Sequence, residues 1–423
     1  MHKKKLMFAA ILAVGVLATG CGEEKEEQRK VYEFENPIQI EAVEGLSDDF
    51  IFGCDMSMLI AQENSGVVYY DEWGKEQDVL TTLANNGVNM IRVRVWNDPY
   101  DENGMGYGGG NCDVDNAIAI GKRATDNDMG VFIDFHYSDF WADPSKQMCP
   151  KAWVGMSVSE KADALYKYTK ESLKKMLDEG VDVQMVQIGN EITSGMSGEK
   201  KWADIATLLK SGSKAVREVS KEYKKDIQIA VHFTNPEKGK YSTYAKTLDN
   251  NDVDYDIFAS SYYSFWHGTL ENLTKVLKDV ATKYDKKVMV AEISYAYTYA
   301  DGDDNQNTIY EGAWGEFKYE LSEQGQAEAV RDCVAALAAV GDAAIGVCYW
   351  EPAWIPVPGD TGMTRSEIWE KYGSGWASSY ASGYDPEDAG KYYGGSAWDN
   401  QALFDNEGHP LSSIQMFLKI KGE

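Results

Sequence analysis

The sequence is poor in positive charge. Its 423 residues include 41 lysines and arginines against 68 aspartates and glutamates, which gives a formal net charge of −27. A protein this acidic repels the phosphates of nucleic acids and of anionic lipids. The charge balance therefore argues against nucleic acid as a partner and suits a neutral polymer.

Cysteine is also scarce, and no close pair of cysteines or histidines stands at the spacing of metal ligands. After Cys21, five cysteines are scattered along the chain: Cys54, Cys112, Cys149, Cys333 and Cys348. An odd number at such separations fits neither a disulfide framework nor a zinc site. We expect buried free thiols.

The apolar run at the N terminus, from Leu6 to Gly20, is too short for a membrane span. It follows three lysines and is typical of an export signal. Ala18, Thr19 and Gly20 lead into Cys21, and this stretch resembles the lipobox of bacterial lipoproteins, in which the cysteine is lipidated after cleavage. An ordinary signal peptide is the alternative.

We therefore expect residues 1–20 to be a signal peptide of the lipoprotein type. Residues 21–45 begin with charged residues and few large apolar ones, so we expect a flexible tether there. Residues 46–423 would form one folded domain. Cleavage removes three lysines and no acids, which leaves a net charge of −30. The expected product is an exported, cell-surface monomer that touches the membrane only through a lipid on Cys21.

Eight short apolar runs alternate with helical patterns along this domain. The runs are "FIFGCDMS", "VNMIRVRVW", "GVFIDFHYS", "VQMVQIGNE", "IQIAVHF", "YDIFASSYY", "KVMVAEIS" and "AAIGVCYW". Parallel strands that are buried on both faces give continuous apolar runs of this kind. Eight β–α repeats predict an α/β fold of the (β/α)₈ TIM-barrel type. A doubly wound open sheet is the alternative, but no Gly-rich phosphate loop follows the first strand.

Polar and aromatic residues follow seven of the eight predicted strands. In a (β/α)₈ barrel the functional site lies at the carboxyl ends of the strands, so these residues should meet at one face. The residues that we expect to contact a substrate are Arg92, Trp96, His136, Asp139, Trp141, Asn190, His232, Tyr262, Tyr263, Trp350 and Trp354.

Two carboxylates directly follow uninterrupted apolar strands, Glu191 after strand four and Glu292 after strand seven. An ionised carboxylate is costly to bury unless it is paired, hydrogen-bonded or kept protonated; two separately solvated surface glutamates are the alternative. Two acids that face each other across a barrel mouth are what glycosidic bond cleavage requires. The 12 tryptophans and 26 tyrosines of the chain add flat apolar faces on which sugar rings can stack.

The motifs "VRVWNDPYDENGMGYGGG", "FHYSDFWADPSKQMCPKAW", "IGNE", "SSYYSFWHGTLENL", "VMVAEISYAYT", "YWEPAWIP" and "GSGWASSY" occur in this order. Over residues 46–420 the chain resembles glycoside hydrolase family 53, the arabinogalactan endo-β-1,4-galactanases of clan A. The resemblance implies retaining hydrolysis of β-1,4-galactan, the galactose side chain of pectin.

The resemblance also implies roles for individual residues. Glu191 matches the acid/base and Glu292 the nucleophile, and Asn190 matches the residue that holds the sugar 2-hydroxyl. Arg92 matches the clan arginine on strand two, and either Tyr262 or Tyr263 the tyrosine beside the nucleophile. We expect the arginine and the tyrosine to lower the pKa of Glu292, and retention predicts carboxyl groups roughly 5–5.5 Å apart.

A second polar cluster, "ADGDDNQNT", follows strand seven. It can turn several oxygen ligands toward one hard cation, as calcium prefers, although it lacks the glycine and the closing glutamate of an EF-hand. A polar surface loop is the alternative. Bacterial members of the family hold calcium with a similar loop, and the resemblance implies a structural Ca²⁺ on Asp301, Asp303, Asn305, Asn307, Ser396 and Asp399.

Two rival functions remain open. The first is another clan A activity, such as a β-mannanase or a xylanase, because one barrel and one pair of glutamates serve many polysaccharides. The second is a surface glycan-binding lipoprotein that keeps the barrel without the chemistry.

Overall fold

A computed structural model describes residues 32–359 and 362–423 of the chain. The described strands are β1 (Ile51–Asp55), β2 (Met90–Val95), β3 (Gly130–Phe135), β4 (Val183–Ile188), β5 (Gln228–Phe233), β6 (Ile257–Ser261), β7 (Lys287–Ile293) and β8 (Ala344–Tyr349). They pair in parallel in chain order, and β8 returns to β1 to close the barrel. All eight predicted strands and the TIM-barrel fold are confirmed.

Helices cover the outside of the barrel. Among the described residues, eight of them connect successive strands and two follow β8. They are α1 (Leu59–Asn64), α2 (Val79–Asn85), α3 (Val114–Asp126), α4 (Val158–Asp178), α5 (Trp202–Tyr223), α6 (Tyr241–Asn250), α7 (Leu270–Tyr284), α8 (Glu323–Ala338), α9 (Arg365–Tyr372) and α10 (Met416–Lys421). Local sequence sets their ends. In α4, for example, Ser157 and Glu160 form a reciprocal capping box, which satisfies two otherwise unpaired backbone N–H groups.

The barrel interior is filled by side chains. Its apolar layer comprises Met90, Phe132, Met185, Ala230, Ile257, Ala259, Met289, Ala291 and Cys348. Alternate strand residues point outward and pack under the helices in a larger core. Because the interior is closed by this layer, the polar residues at the carboxyl ends of the strands stand on a rigid floor.

Two irregularities in strand pairing adjust the rim of the barrel. The register of β6 on β7 shifts between Ser260 and Ser261, so that Ser261 lies opposite Glu292. The register of β7 on β8 shifts between Val290 and Ile293. Such bulges redirect side chains at a strand end, and here they flank Glu292.

The compact unit of the barrel begins at Phe34. Ile38 is only 2% exposed, and the Val43 N–H donates to the Ile420 carbonyl at 2.9 Å. Residues 34–45 therefore pack on the barrel, and the expected tether boundary at residue 45 is too late. The expected signal peptide, Cys21 and the first part of the tether lie outside the described residues.

The five cysteines after Cys21 are free thiols; four are buried, as expected, whereas Cys149 is half-buried. Within the described residues no helix combines the length and the apolar character that crossing a membrane requires.

Candidate active site

A cavity of about 710 Å³ opens at the carboxyl ends of the strands. Glu191 and Glu292 both line it, as do six tryptophans: Trp141, Trp266, Trp350, Trp354, Trp376 and Trp398. A concave site with apolar walls and a few convergent polar groups is the usual form of a small-molecule or sugar site.

Glu292 is held at both carboxylate oxygens. Arg92 Nη1 donates to Oε1 at 3.0 Å, and the Tyr263 hydroxyl donates to Oε2 at 3.1 Å. Charge-assisted hydrogen bonds of this kind are stronger than neutral ones. Only a few per cent of Glu292 is exposed, so its orientation is fixed by these two donors.

Arg92 is the hub of the polar floor beneath the cavity. In addition to Glu292, its guanidinium donates to Asp55 at 2.9 Å, to Asp134 at 2.8 Å and to Asn190 Oδ1 at 3.1 Å. The side chain is 1% exposed, and the buried carboxylates around it compensate its charge. This network draws residues from β1, β2, β3, β7 and the end of β4 onto one cation.

Glu191 follows β4 at a backbone angle φ of +43°. Non-glycine residues adopt such angles rarely, and residues held in them cluster at active sites. The carboxylate lies 2.6 Å from the Ser261 hydroxyl, and Gln147 Nε2 donates to the neighbouring Asn190 carbonyl at 2.8 Å. Glu191 thus lines the cavity without the kind of cationic partner that Arg92 provides for Glu292.

The surroundings of the two glutamates shift their pKa values to different extents. Burial and the charge of Glu292 raise the pKa of Glu191 to about 8. Burial also raises the pKa of Glu292, to about 7, against the opposing effect of Arg92. We expected Arg92 and a tyrosine to lower the pKa of Glu292. Both are present, but burial outweighs them, helped by the charges of Asp134 and Asp55.

The ordering of the two values still follows from the contacts. Arg92 and Tyr263 stabilise the charged form of Glu292, whereas Glu191 faces the negative charge of Glu292. Glu191 therefore keeps its proton to higher pH than Glu292, which separates an acid from a carboxylate in one site.

Seven of the eleven predicted substrate residues line the cavity: Arg92, His136, Trp141, Asn190, Tyr263, Trp350 and Trp354. The choice left open between the two tyrosines is resolved by position. Tyr263 contacts Glu292, whereas the Tyr262 hydroxyl turns away and donates to the Gly268 carbonyl at 3.0 Å.

Four predicted substrate residues do not line the cavity. Besides Tyr262, these are Trp96, Asp139 and His232. Trp96 is fully buried and donates from Nε1 to His136 Nδ1 at 3.1 Å. Asp139 accepts the backbone N–H groups of Asp98 and Lys151 at 3.0 and 2.7 Å, so it joins two loops. His232 lies behind Asn190 and Ser261.

Several cavity residues were absent from our sequence-based set. Trp266 and His267 follow β6, and Trp376 and Trp398 come from the long segment after β8. Arg94 also lines the cavity, with its guanidinium 4.2 Å from the ring centroid of Trp141. Arg94 and Trp266 lie at or just after the ends of predicted strands and could have been included for that reason. Trp376 lies in the motif "GSGWASSY", but neither it nor Trp398 closely follows a strand, so the strand pattern does not place them at the mouth.

Two carboxylates of the polar cluster, Asp301 and Asp303, converge with Asp399 from the segment after β8. Asp301, Asp303 and Asp399 each offer an oxygen, and these oxygens lie within 4.8 Å of one another. Burial raises the pKa of Asp303 to about 6 and of Asp399 to about 7. Asn307 donates to Asp399, and its own Oδ1 is buried with no partner among the described residues. This donor set fits a hard divalent cation such as calcium.

Asn305 and Ser396 lie beside this cluster. Their backbone N–H groups donate to the two oxygens of Asp303, at 2.7 and 2.9 Å. The Ser396 hydroxyl accepts the N–H of Trp398 at 3.0 Å. Both residues thus orient Asp303, and Ser396 also links the cluster to a tryptophan of the cavity wall.

The chain is similar to known proteins over almost its whole length. It is 57% identical over 419 residues, 98% of this chain and 96% of the relative, to the endo-beta-1,4-galactanase of Bacillus subtilis (strain 168). It is 32% identical to the arabinogalactan endo-beta-1,4-galactanase of Cellvibrio japonicus (strain Ueda107), over 88% of this chain and 92% of that protein.

Solved structures agree with this similarity. The GH53 catalytic domain of Ignisphaera aggregans superposes with a TM-score of 0.79 at 39% identity, over 91% of this chain and 99% of that one. The native xylanase 10C of Cellvibrio japonicus shares only the fold, with a TM-score of 0.54 at 13% identity over 93% of this chain and 75% of that one. Residues 51–417 match the sequence profile of glycosyl hydrolase family 53. The chain therefore belongs to glycosyl hydrolase family 53.

Proposed function

We propose that the protein is an endo-acting β-1,4-galactanase that hydrolyses galactan with retention of configuration. The observation that carries this proposal is the pair of buried glutamates on one cavity whose surroundings differ. The names of the relatives support the substrate class, since two of them are endo-β-1,4-galactanases.

The residues support a double displacement. Glu191, which keeps its proton to higher pH, gives that proton to the leaving glycosidic oxygen. Glu292, held as a carboxylate by Arg92 and Tyr263, attacks the anomeric carbon and forms a glycosyl-enzyme ester. Glu191 then removes a proton from water, and the water oxygen displaces Glu292 from the anomeric carbon.

The cavity walls suit a neutral sugar chain. Six tryptophans provide stacking faces, and Asn190 lies beside Glu191 where it can hold a sugar hydroxyl. Arg94 packs against Trp141 and is compensated by Glu351 and Asp55. This cation therefore positions the wall rather than attracting an anionic substrate.

The test is sugar release from linear β-1,4-galactan, with β-mannan and xylan as comparison substrates. We expect galactan to be cleaved and the other two to be left intact. The Glu292→Ala and Glu191→Ala variants should each lose at least a thousandfold in kcat while binding galactan. Early NMR spectra of the product should show the β-anomer. Inverted product would contradict double displacement, and cleavage of mannan or xylan alone would favour the rival activities.

We also propose that Asp301, Asp303, Asp399 and Asn307 hold a structural calcium ion, with Asn305 and Ser396 orienting Asp303. The close approach of three carboxylates and the unpartnered Asn307 oxygen support this assignment. A bound cation would offset the mutual repulsion of the three acids and fix the loop after β7.

For the N-terminal residues we propose export and a lipid anchor on Cys21, with a monomeric body at the cell surface. The basic start and the short apolar run support export. Metabolic labelling with a radioactive fatty acid tests the anchor: Cys21→Ser should abolish labelling, and retained label would contradict it. Light scattering of residues 34–423 tests the monomer.

A further inference from the structure

A chain of polar side chains leads from Glu191 into the barrel wall. Ser261 Oγ lies 2.6 Å from Glu191 Oε1 and 2.9 Å from His232 Nε2. On the far side of the ring, His232 Nδ1 lies 2.9 Å from Asn190 Oδ1. Ser261 and His232 are fully buried. Each hydrogen in the chain must therefore come from one of its own members.

The donor and acceptor in each of these hydrogen bonds can be assigned by starting from Asn190. Arg92 Nη2 donates to Asn190 Oδ1 at 3.1 Å, and Asn190 Nδ2 donates to the Ala142 carbonyl at 2.8 Å. Arginine can only donate, so Oδ1 is the acceptor oxygen of the amide. His232 must then present an N–H at Nδ1.

His232 has only this one ring proton. Its ring is enclosed, and the charged and titratable groups that face it are Arg92, Asp134 and His136. Burial, together with the charge of Arg92, lowers the pKa of His232 well below its ordinary value of 6.5. A neutral ring that carries its hydrogen on Nδ1 has a lone pair on Nε2. In the contact between Ser261 and His232, the serine hydroxyl therefore donates to Nε2.

Ser261 has a single hydrogen, and His232 receives it. The serine lone pairs are left facing Glu191 Oε1 at 2.6 Å, so Glu191 must supply the hydrogen of that bond. We infer that Ser261 and His232 form a positioning pair that holds the proton on Glu191 before the glycosidic bond is cleaved. This inference rests on the proposed function only in giving Glu191 the role of acid.

The pair also affects the state of Glu191 after proton donation. When the Glu191 proton moves to the leaving oxygen, the electrons of the broken C–O bond stay on that oxygen and Glu191 becomes a carboxylate. Ser261 can then turn its hydrogen to Glu191, but His232 Nε2 loses its donor inside a closed wall. Re-protonation of Glu191 from the attacking water restores every hydrogen bond. The pair therefore favours the return of Glu191 to its acid form.

The other groups that face Glu191 do not remove this preference. Glu292 and Asp143 add negative charge, Tyr263 and Tyr241 are neutral phenols, and the Thr234 hydroxyl lies within reach of the carboxylate. The two negative charges act in the same direction as the Ser261–His232 pair. Thr234 acts the other way, because its hydroxyl can stabilise the carboxylate form.

The test is the pH dependence of kcat/KM on galactan for Ser261→Ala. A serine that merely donated to the Glu191 carboxylate would lower the pKa of Glu191, so its removal would move the alkaline limb to higher pH. The inferred direction of the hydrogen bonds predicts the opposite: the alkaline limb moves to lower pH by about one unit, a tenfold change in proton affinity. An unmoved limb, or one shifted to higher pH, would overturn the inference.

Ser260→Ala is the matched control. Ser260 lies on the same strand, but its hydroxyl contacts the Tyr241 hydroxyl and the Ser261 carbonyl rather than Glu191. We expect this variant to leave the alkaline limb where it is in the unmodified enzyme. An equal shift in both variants would show that any disturbance of β6 moves the limb, and would also overturn the inference.

A second measurement needs no turnover. Nitrogen-15 NMR of the histidine rings in the full chain, at a pH where Glu191 is protonated, should show His232 neutral with hydrogen on Nδ1. A hydrogen on Nε2 would overturn the inference. If the galactanase assignment failed, activity would be missing while this ring state remained, so the two failures are distinguishable.

Discussion

The Tyr263 hydroxyl and the Arg92 guanidinium bind different oxygens of Glu292, at 3.1 Å and 3.0 Å. Between them they leave the carboxylate little freedom to rotate. A nucleophile that is oriented in this way loses little entropy on reaching the anomeric carbon. The contact also distinguishes Tyr263 from its neighbour Tyr262, whose hydroxyl bonds a backbone carbonyl.

Tyr263→Phe should lower kcat on galactan by roughly 10- to 100-fold with a smaller change in KM. The reason is the loss of one hydrogen bond to a charged group, about 1.5–3 kcal/mol. Tyr262→Phe is the control and should change kcat less than twofold. Steady-state kinetics on soluble galactan measure both. Equal losses in the two variants would show that packing, not the bond to Glu292, is responsible.

The pH profile of kcat/KM should be bell-shaped. Activity needs ionised Glu292 and protonated Glu191, so it falls at low pH as Glu292 takes up a proton and at high pH as Glu191 loses one. The pKa values of about 7 for Glu292 and about 8 for Glu191 place the maximum between them. Because the two groups titrate together, the apparent pKa of each limb describes the pair and not a single residue. A profile flat from pH 5 to 9 would contradict the assignment.

Glu292→Gln should shift the titration of Glu191. The charge of Glu292 raises the pKa of Glu191, so neutralising that charge should move the Glu191 carboxyl titration to lower pH. Carbon-13 NMR of labelled glutamate carboxyl groups can follow it without turnover. An unchanged titration would mean that burial alone sets the pKa of Glu191.

Trp141→Ala should weaken galactan binding roughly tenfold, or about 1.4 kcal/mol. Trp141 lines the cavity and packs over Arg94 at 4.2 Å, so the change removes an apolar wall and leaves a buried cation without its ring. Trp73→Ala is the control, because Trp73 is 60% exposed and does not line the cavity. Isothermal titration with the inactive Glu292→Ala background measures binding. A similar loss of galactan binding in both variants would contradict a role of Trp141 in the binding site.

The strands and the glutamate pair could be predicted from the sequence for a physical reason. A strand buried on both faces must be apolar throughout, so the polar residue that ends it is conspicuous. Glu191 lies three residues beyond the end of β4, and Glu292 is the next-to-last residue of β7. The strand pattern predicts how far along the barrel axis a residue lies, but not the direction in which its side chain points. Trp96, Asp139 and His232 stand at the expected height, yet their side chains point into the wall or toward neighbouring loops.

The remaining parts of the site depend on tertiary structure. Tyr262 and Tyr263 are neighbours in the sequence, and only the partners of their hydroxyl groups in the folded protein distinguish them. Trp376 and Trp398 come from a segment that folds back over the barrel after β8. Trp376 receives the indole N–H of Trp141 at its carbonyl, at 2.7 Å. The two residues are 235 positions apart in the sequence, and a contact across such a separation leaves no local sequence pattern.

Ile38→Ala should lower the free energy of unfolding by about 2–5 kcal/mol, the usual cost of truncating a buried aliphatic side chain. Ile38 is 2% exposed and belongs to the main core. Glu35→Ala, at an exposed neighbouring position, should change it by about 0.5 kcal/mol or less. Urea denaturation followed by tryptophan fluorescence measures both. If Ile38→Ala changed the free energy of unfolding as little as Glu35→Ala does, residues 34–45 would contribute little to the stability of the barrel and would be part of the tether.

Calcium should stabilise the protein more at pH 8 than at pH 5. In the metal-free protein, burial raises the pKa of Asp303 to about 6 and of Asp399 to about 7. Their contribution to stability is therefore present below their ordinary pKa and is lost as the pH rises through 6 and 7. A cation binds the ionised carboxylates, so it restores stability where that loss is complete.

Melting curves with excess calcium and with EDTA, recorded at both pH values, measure this difference. A ligand at a hundred times its Kd adds about 2.7 kcal/mol, which corresponds to a rise of several degrees in Tm. Asp399→Asn should abolish most of the calcium effect at pH 8. Asp304→Asn, on an exposed residue of the same loop outside the three-carboxylate cluster, should retain it. If EDTA left Tm unchanged at pH 8, the three carboxylates would hold no structural cation.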